Sequence, residues 1–168
     1  MQSHQMINQD SGDTEYYTPE SIVMAARRAM GGVISLDPAT SHEANRRVKA
    51  EHIYTADDDG LTRSWFGNVW MNHPFSKTNN RLFVAKLVEE YQAGRVKAAC
   101  CITFAATSEK WFRPLLAFPQ CYIYGRTNYH LPNGTVKKGV TKGSVVTYLG
   151  PDIEAFRDYF EHMGAVKI

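Results

Sequence analysis

Apolar residues recur along this 168-residue chain in short blocks, whose spacing alternates between helical and extended patterns. Thr18-Pro19-Glu20 predicts the start of a helix, with a capping hydroxyl, a proline at the first helical position and an acid in the first turn. Gly31-Gly32 ends it. The pattern predicts further helices at 77–93, 108–117 and 152–163, and strands at 33–36, 51–55, 68–72, 97–104, 120–124 and 144–149.

Strands separated by helical segments predict an α/β fold, with a mostly parallel sheet and flanking helices. Ligands of such sheets bind at the carboxyl ends of the strands, and both Asp37 and Asn72 follow a predicted strand. Residues 1–13 are polar and lack periodicity, so we expect a disordered tail. The rest, residues 14–168, has a length typical of one domain.

Composition narrows the classes of protein to consider. The chain is 43% apolar, and it contains neither a bilayer-spanning apolar run nor the features of a signal peptide, so we expect a cytoplasmic protein. Cys100, Cys101 and Cys121 fall in apolar, strand-like stretches without a Cys-x-x-Cys pair, which predicts reduced packing residues. The six histidines lack metal-ligand spacing, so no metal is expected.

The positive charge is unevenly distributed. A net charge of +2 does not by itself indicate a nucleic-acid partner. Residues 125–144, however, carry no acid and four basic side chains: Arg126, Lys137, Lys138 and Lys142. This stretch fits a loop that contacts DNA phosphates. It also fits a solvated hairpin around Pro132-Asn133-Gly134, and the sequence leaves both interpretations open.

Two acidic segments are candidates for binding S-adenosylmethionine. Asp37, Pro38 and Ala39 place a carboxylate at the end of a strand beside small residues, which suits the ammonium of the methionine end, although a plain Asp-Pro turn is the alternative. Asp58 or Asp59, before Gly60, can accept hydrogen bonds from the adenosyl part, although a solvated Asp-Gly turn is the alternative. The chain lacks the glycine-rich motifs of dinucleotide and nucleoside-triphosphate sites.

Asn72-His73-Pro74-Phe75 approximates the Asn-Pro-Pro-Tyr/Phe motif of amino-group methyltransferases. The amide oxygen of Asn72 and the carbonyl of His73 can accept the two hydrogens of an adenine amino group, while Phe75 offers a ring for an extruded base. His73 replaces the first proline. Because Pro74 keeps the preceding residue extended, the carbonyl direction should survive. The side chain of His73 is either a tolerated polar loop residue or a donor to the substrate or its phosphate.

Six segments, taken in order, resemble the phage-type Dam family of DNA N6-adenine methyltransferases. They are Tyr16-Tyr17-Thr18-Pro19-Glu20, Leu36-Asp37-Pro38-Ala39, Asp58-Asp59-Gly60-Leu61 with Trp65, Asn72-His73-Pro74-Phe75-Ser76, Trp111-Phe112 and Gly125-Arg126. The resemblance implies a Rossmann-like fold, S-adenosylmethionine as methyl donor and DNA as partner. It implies that Tyr17, Thr18 and Pro19 lie beside the cofactor, with Asp37, Pro38 and Ala39 at its methionine end and Asp58 or Asp59 at its adenosine.

The expected reaction is therefore methylation of the N6 amino group of adenine in DNA, with residues 72–75 holding the base. Similar tetrapeptides serve enzymes that methylate cytosine N4, RNA adenine or protein glutamine, so these acceptors are alternatives. A catalytically weak DNA-binding module of the same fold is a further alternative. If the chain is of phage or prophage origin, its location would be the cytoplasm of the bacterial host.

Overall fold

The computed structural model describes residues 17–131, 133, 135 and 142–168. Their centre is a seven-stranded sheet with the order β2-β1-β3-β4-β6-β5-β7. The strands are β1 Leu36–Asp37, β2 His52–Ile53, β3 Gly67–Met71, β4 Val96–Phe104, β5 Gln120–Ile123, β6 Ser144–Leu149 and β7 Gly164–Lys167.

Within these described residues, four α-helices accompany the sheet: α1 Glu20–Ala29, α2 Asn45–Val48, α3 Lys77–Gln92 and α4 Ile153–Phe160. Short 3₁₀ helices cover Gly60–Thr62 and Arg113–Ala117. The two C-terminal helices, α3 and α4, begin at side-chain caps: Ser76 Oγ accepts from the backbone N–H of Asn79 at 3.0 Å, and Asp152 Oδ1 accepts from that of Ala155 at 3.0 Å.

The prediction of an α/β fold is confirmed, and the prediction of a mostly parallel sheet holds for the first part of the sheet, from β1 to β4. β1 pairs in parallel with β2 and β3, and β3 with β4, whereas the other three pairings, β4 with β6, β6 with β5 and β5 with β7, are antiparallel. In the later part of the sheet β6 lies between β4 and β5 and is antiparallel to both, so β4 and β5 still run in the same direction.

Most predicted elements are present with small shifts at their ends, and α3 and β6 match closely. The α-helix predicted over 108–117 is wrong: turns lead there into a 3₁₀ helix, in which Pro114 removes a backbone donor. The helix predicted over 152–163 ends at Phe160, and Gly164 begins β7, which the pattern missed together with α2.

The sheet separates two apolar layers. Along β4, Cys100 and Ile102 belong to the core beneath α1 and α4, while Ala99 and Cys101 belong to the core beneath α3. The three cysteines are free and buried, which confirms the prediction that they are packing residues. Burial raises the pKa of the Cys101 thiol to about 12. No helix in the described part of the chain is long and apolar enough to cross a bilayer.

Candidate active site

A cavity of about 630 Å³ opens where β1 and β3 end. Leu36 of β1 is paired with Val69 of the parallel strand β3, so the residues that follow the two strands meet at one edge of the sheet. The cavity brings together most of the predicted site residues: Tyr17, Thr18, Asp37, Pro38, Ala39, Asp59, Asn72, His73, Pro74 and Phe75. Pro19 and Asp58 are not among the residues that line it.

Asp37 is the most deeply buried carboxylate of the cavity, with 2% of its surface exposed. Its Oδ1 accepts a hydrogen bond from the backbone N–H of Ala39 at 3.2 Å. Burial raises the pKa of Asp37 to about 7, although the bonds from Ala39 and Thr40 act in the opposite direction. A cationic partner would stabilise the ionised form of this buried carboxyl group and so lower its pKa.

The two candidate aspartates before Gly60 differ in their surroundings. Asp58 Oδ2 accepts from the backbone N–H and the hydroxyl of Thr55, at 2.8 and 3.1 Å, and these bonds lower the pKa of Asp58. Asp59 lines the cavity and has a left-handed backbone, with φ of 54°. Gly60 allows this turn to touch the Asp37 loop, because a Cβ at position 60 would overlap the carbonyl oxygen of Pro38.

His73 is a buried anchor of its loop, with 1% of its surface exposed. Its Nε2 lies 2.6 Å from Asn80 Oδ1, and its ring stacks on Phe83 with 5.6 Å between centroids. Burial lowers the pKa of His73 to about 4, so the ring is neutral at pH 7 and donates from Nε2. His73 is therefore tied to α3 by packing and by a hydrogen bond, where the family motif has a proline.

Phe75 is enclosed by other aromatic rings. Its centroid lies 5.5 Å from that of His73, 4.9 Å from that of Phe104 and 6.2 Å from that of Tyr129. The Tyr129 hydroxyl lies 2.8 Å from Ser144 Oγ, which connects this cluster to the start of β6. Since Phe75 is only 6% exposed, a base can reach only the part of the ring that faces the cavity.

The predicted DNA-contacting residues lie outside the cavity lining or outside the described residues. Arg126 and Lys142 are exposed, and the Lys142 ammonium lies 5.4 Å from the centroid of Phe104. Arg126 approaches the neighbouring Gly143, where a Cβ would lie 3.7 Å from Nη1. Lys137 and Lys138, like the tail predicted at 1–13, fall outside the described residues.

Among the side chains of the site that sequence reasoning missed, Arg47 and Asn80 have the clearest contacts. Arg47 lines the cavity from α2, and Asn80 on α3 is the partner of His73. The stretch around Arg47 has no periodic pattern, and Asn80 lies within an ordinary helical segment, so neither gave a signal. No group of three or more His, Cys, Asp or Glu side chains suited to a metal ion occurs among the residues that the structure describes.

Comparison with known proteins identifies the family of the chain. A search of curated protein sequences finds no match. The family model described as Dam, DNA N-6-adenine-methyltransferase, matches residues 5–153, which include every residue of the cavity. A match of this extent covers both acidic loops and the loop at residues 72–75. The chain therefore belongs to the Dam family and is a DNA N6-adenine methyltransferase.

Proposed function

We propose that the chain has a Rossmann-like methyltransferase fold and that its cavity binds S-adenosylmethionine beside an adenine extruded from DNA. The observation that carries this proposal is the meeting of Asp37, Asp59 and the loop at 72–75 around one cavity. A volume of about 630 Å³ is within the usual range of small-molecule sites, roughly 300–1,000 Å³. A buried carboxylate with a raised pKa also suits a ligand that carries an ammonium group.

In this proposal residues that follow β1 and β3 would hold the cofactor. Asp37 accepts hydrogen bonds from the ammonium of its methionine end, beside Pro38 and Ala39. Asp59 is better placed than Asp58 to accept from the adenosine, because the Asp58 carboxylate is engaged by Thr55. Tyr17 and Thr18 cover the site, and Pro19 sets the start of α1 behind them. When bound, S-adenosylmethionine supplies the electrophilic methyl group.

The loop at 72–75 holds the target base. Asn72 Oδ1 and the His73 carbonyl accept the two amino hydrogens, which draws the nitrogen lone pair out of conjugation with the ring. Pro74 keeps the His73 backbone extended, and Phe75 limits how the base can tilt. These residues act by orientation and electrostatic complementarity, so no nucleophilic side chain is needed.

Arg126, Lys137, Lys138 and Lys142 contact DNA phosphates in this proposal. Support comes from Lys142, whose ammonium lies over Phe104, the ring next to Phe75. A phosphate bound there would be close to the nucleotide whose base enters the cavity. An enzyme that methylates DNA works where DNA is, which favours the cytoplasm, or the cytoplasm of a bacterial host for a phage protein.

A methyl-transfer assay with labelled S-adenosylmethionine and unmethylated DNA tests the proposal. The product should be N6-methyladenine, identified by mass spectrometry of the digested nucleosides. Asn72→Ala should nearly abolish transfer and leave cofactor binding measurable by calorimetry. Gln92→Ala is the control, because Gln92 is an exposed amide side chain at the end of α3 and does not line the cavity. Wild-type turnover in Asn72→Ala would refute the assigned role.

A further inference from the structure

Arg47 is the one lysine or arginine among the described residues that line the cavity. The other charged side chains there are Asp37 and Asp59. No carboxylate of the described residues lies within ion-pair distance of Arg47. A cationic group in a partly buried wall, without an acidic neighbour to neutralise it, favours an anionic group of the ligand.

The position of Arg47 is fixed by its surroundings. Its guanidinium carbon lies 5.8 Å from the centroid of the Tyr17 ring, a cation–π arrangement that keeps the side chain on the cavity wall. The short helix α2 is held from α1, because Arg27 Nη2 donates to the carbonyls of Arg47 and Val48 at 3.3 and 2.6 Å. These bonds use the backbone of Arg47, so they survive substitution of its side chain.

Arg46, its neighbour on the same helix, has different surroundings. Its side chain is 79% exposed and pairs with Glu43 at 3.4 Å. It does not line the cavity. Of these two adjacent arginines on one helical turn, Arg47 thus lines the cavity and Arg46 faces solvent.

We propose that Arg47 binds the carboxylate of the amino-acid end of the methyl donor, an inference that rests on the proposed function. An amino acid carries its ammonium and carboxylate on the same carbon, so a site that gives the ammonium to Asp37 needs an anion-binding group close by. Eight of the residues from 37 to 48 line the cavity, with Asp37 at the start of this segment and Arg47 near its end. A guanidinium can hold a carboxylate through two parallel hydrogen bonds, which fixes the direction of the amino-acid end.

Arg47 would then select for donors that carry an intact amino acid. The binding energy that it supplies depends on a group remote from the methyl carbon, so it acts on affinity and alignment. Hydrogen bonds between charged groups predict that removing either partner weakens binding by about 10- to 100-fold. Removing both partners should cost little more than removing one, because they stabilise each other.

Calorimetry with two donors tests this inference. S-adenosylmethionine and its decarboxylated analogue are each titrated into wild type, Arg47→Met, Arg47→Lys and the control Arg46→Met. Wild type and Arg46→Met should bind S-adenosylmethionine about 10- to 100-fold more tightly than the analogue. Arg47→Met should bind both equally, and Arg47→Lys should fall between, since it keeps the charge without the planar fork.

The outcomes separate this inference from the proposal on which it rests. An undiminished preference in Arg47→Met, with S-adenosylmethionine still bound, would overturn the role of Arg47 alone. Unchanged donor binding together with weaker DNA binding in Arg47→Met would also overturn it, and would assign the guanidinium to a phosphate. Failure of the wild-type protein to bind either donor would overturn the proposed cofactor, and this inference with it.

Discussion

Replacement of Asp37 by Asn should strengthen the fold and weaken cofactor binding. Burial raises the pKa of Asp37 from 3.8 to about 7, so ionising this side chain costs folding free energy above pH 7. At about 1.36 kcal/mol for each pKa unit, the cost reaches at most about 4 kcal/mol. Asn is nearly isosteric and keeps an acceptor for the N–H of Ala39, but it never ionises.

The sign of the pH dependence follows from proton binding. Between pH 3.8 and about 7 the folded state holds the Asp37 proton more tightly than the unfolded state, so the contribution of Asp37 to stability falls as the pH rises. Urea unfolding of wild type and Asp37→Asn at pH 4 to 8 measures this directly. The difference between the two curves cancels the other titrating groups. The unfolding free energy of Asp37→Asn minus that of the wild type should be near zero at pH 4. It should increase with pH up to about pH 7 and stay constant above that.

The affinity for the cofactor should rise with pH, whereas the contribution of Asp37 to stability falls. In the wild type, affinity for S-adenosylmethionine should fall by up to about tenfold per pH unit below pH 7, as protonation of Asp37 competes with the ammonium. Asp37→Asn should bind about 10- to 100-fold more weakly at pH 8 and show no such pH dependence. A flat stability difference from pH 4 to 8 would refute the argument from burial, whatever happens to binding.

Two further variants probe the loop at 72–75 and the proposed DNA surface. Asn80→Ala leaves the buried Nε2–H of His73 without an acceptor, so it should lower the unfolding free energy by about 1–3 kcal/mol and slow methyl transfer. Urea unfolding and steady-state kinetics measure the two effects, and unchanged values would show that the loop does not need this anchor. Lys142→Met should make the slope of log affinity for DNA against log salt concentration shallower by about 0.9. Lys97 is exposed at the start of β4, and the control Lys97→Met should leave this slope unchanged. Equal slopes for both variants would show that Lys142 does not contact DNA.

The local pattern of the sequence was sufficient to place the two loops of the site. Asp37 and Asn72 each follow an apolar strand, and parallel pairing of β1 and β3 brings the ends of those strands together. The prediction needed only the position of the strands and the rule that ligands bind at their carboxyl ends. Roles of individual side chains in binding and catalysis stay predictions.

The features that the sequence did not indicate depend on contacts between distant elements. The burial of His73 results from Asn80 and Phe83 on α3, so nothing within the tetrapeptide indicates it. Arg47 lies on a helix of a single turn, too short for apolar periodicity to register. The order of the strands could not be predicted for a related reason. Periodicity indicates that a strand exists, but it does not indicate which strands lie beside it.

The position of β6 between β4 and β5 affects the order in which contacts can form during synthesis on the ribosome. β4 and β5 are complete once residue 123 has emerged, but the strand that joins them ends at residue 149. Until then each presents an unsatisfied edge, and Tyr129 lacks the Ser144 hydroxyl that connects it to the sheet. The contact between Tyr129 and Ser144, which supports the aromatic cluster around Phe75, can therefore form only well after every residue that lines the cavity has been synthesised.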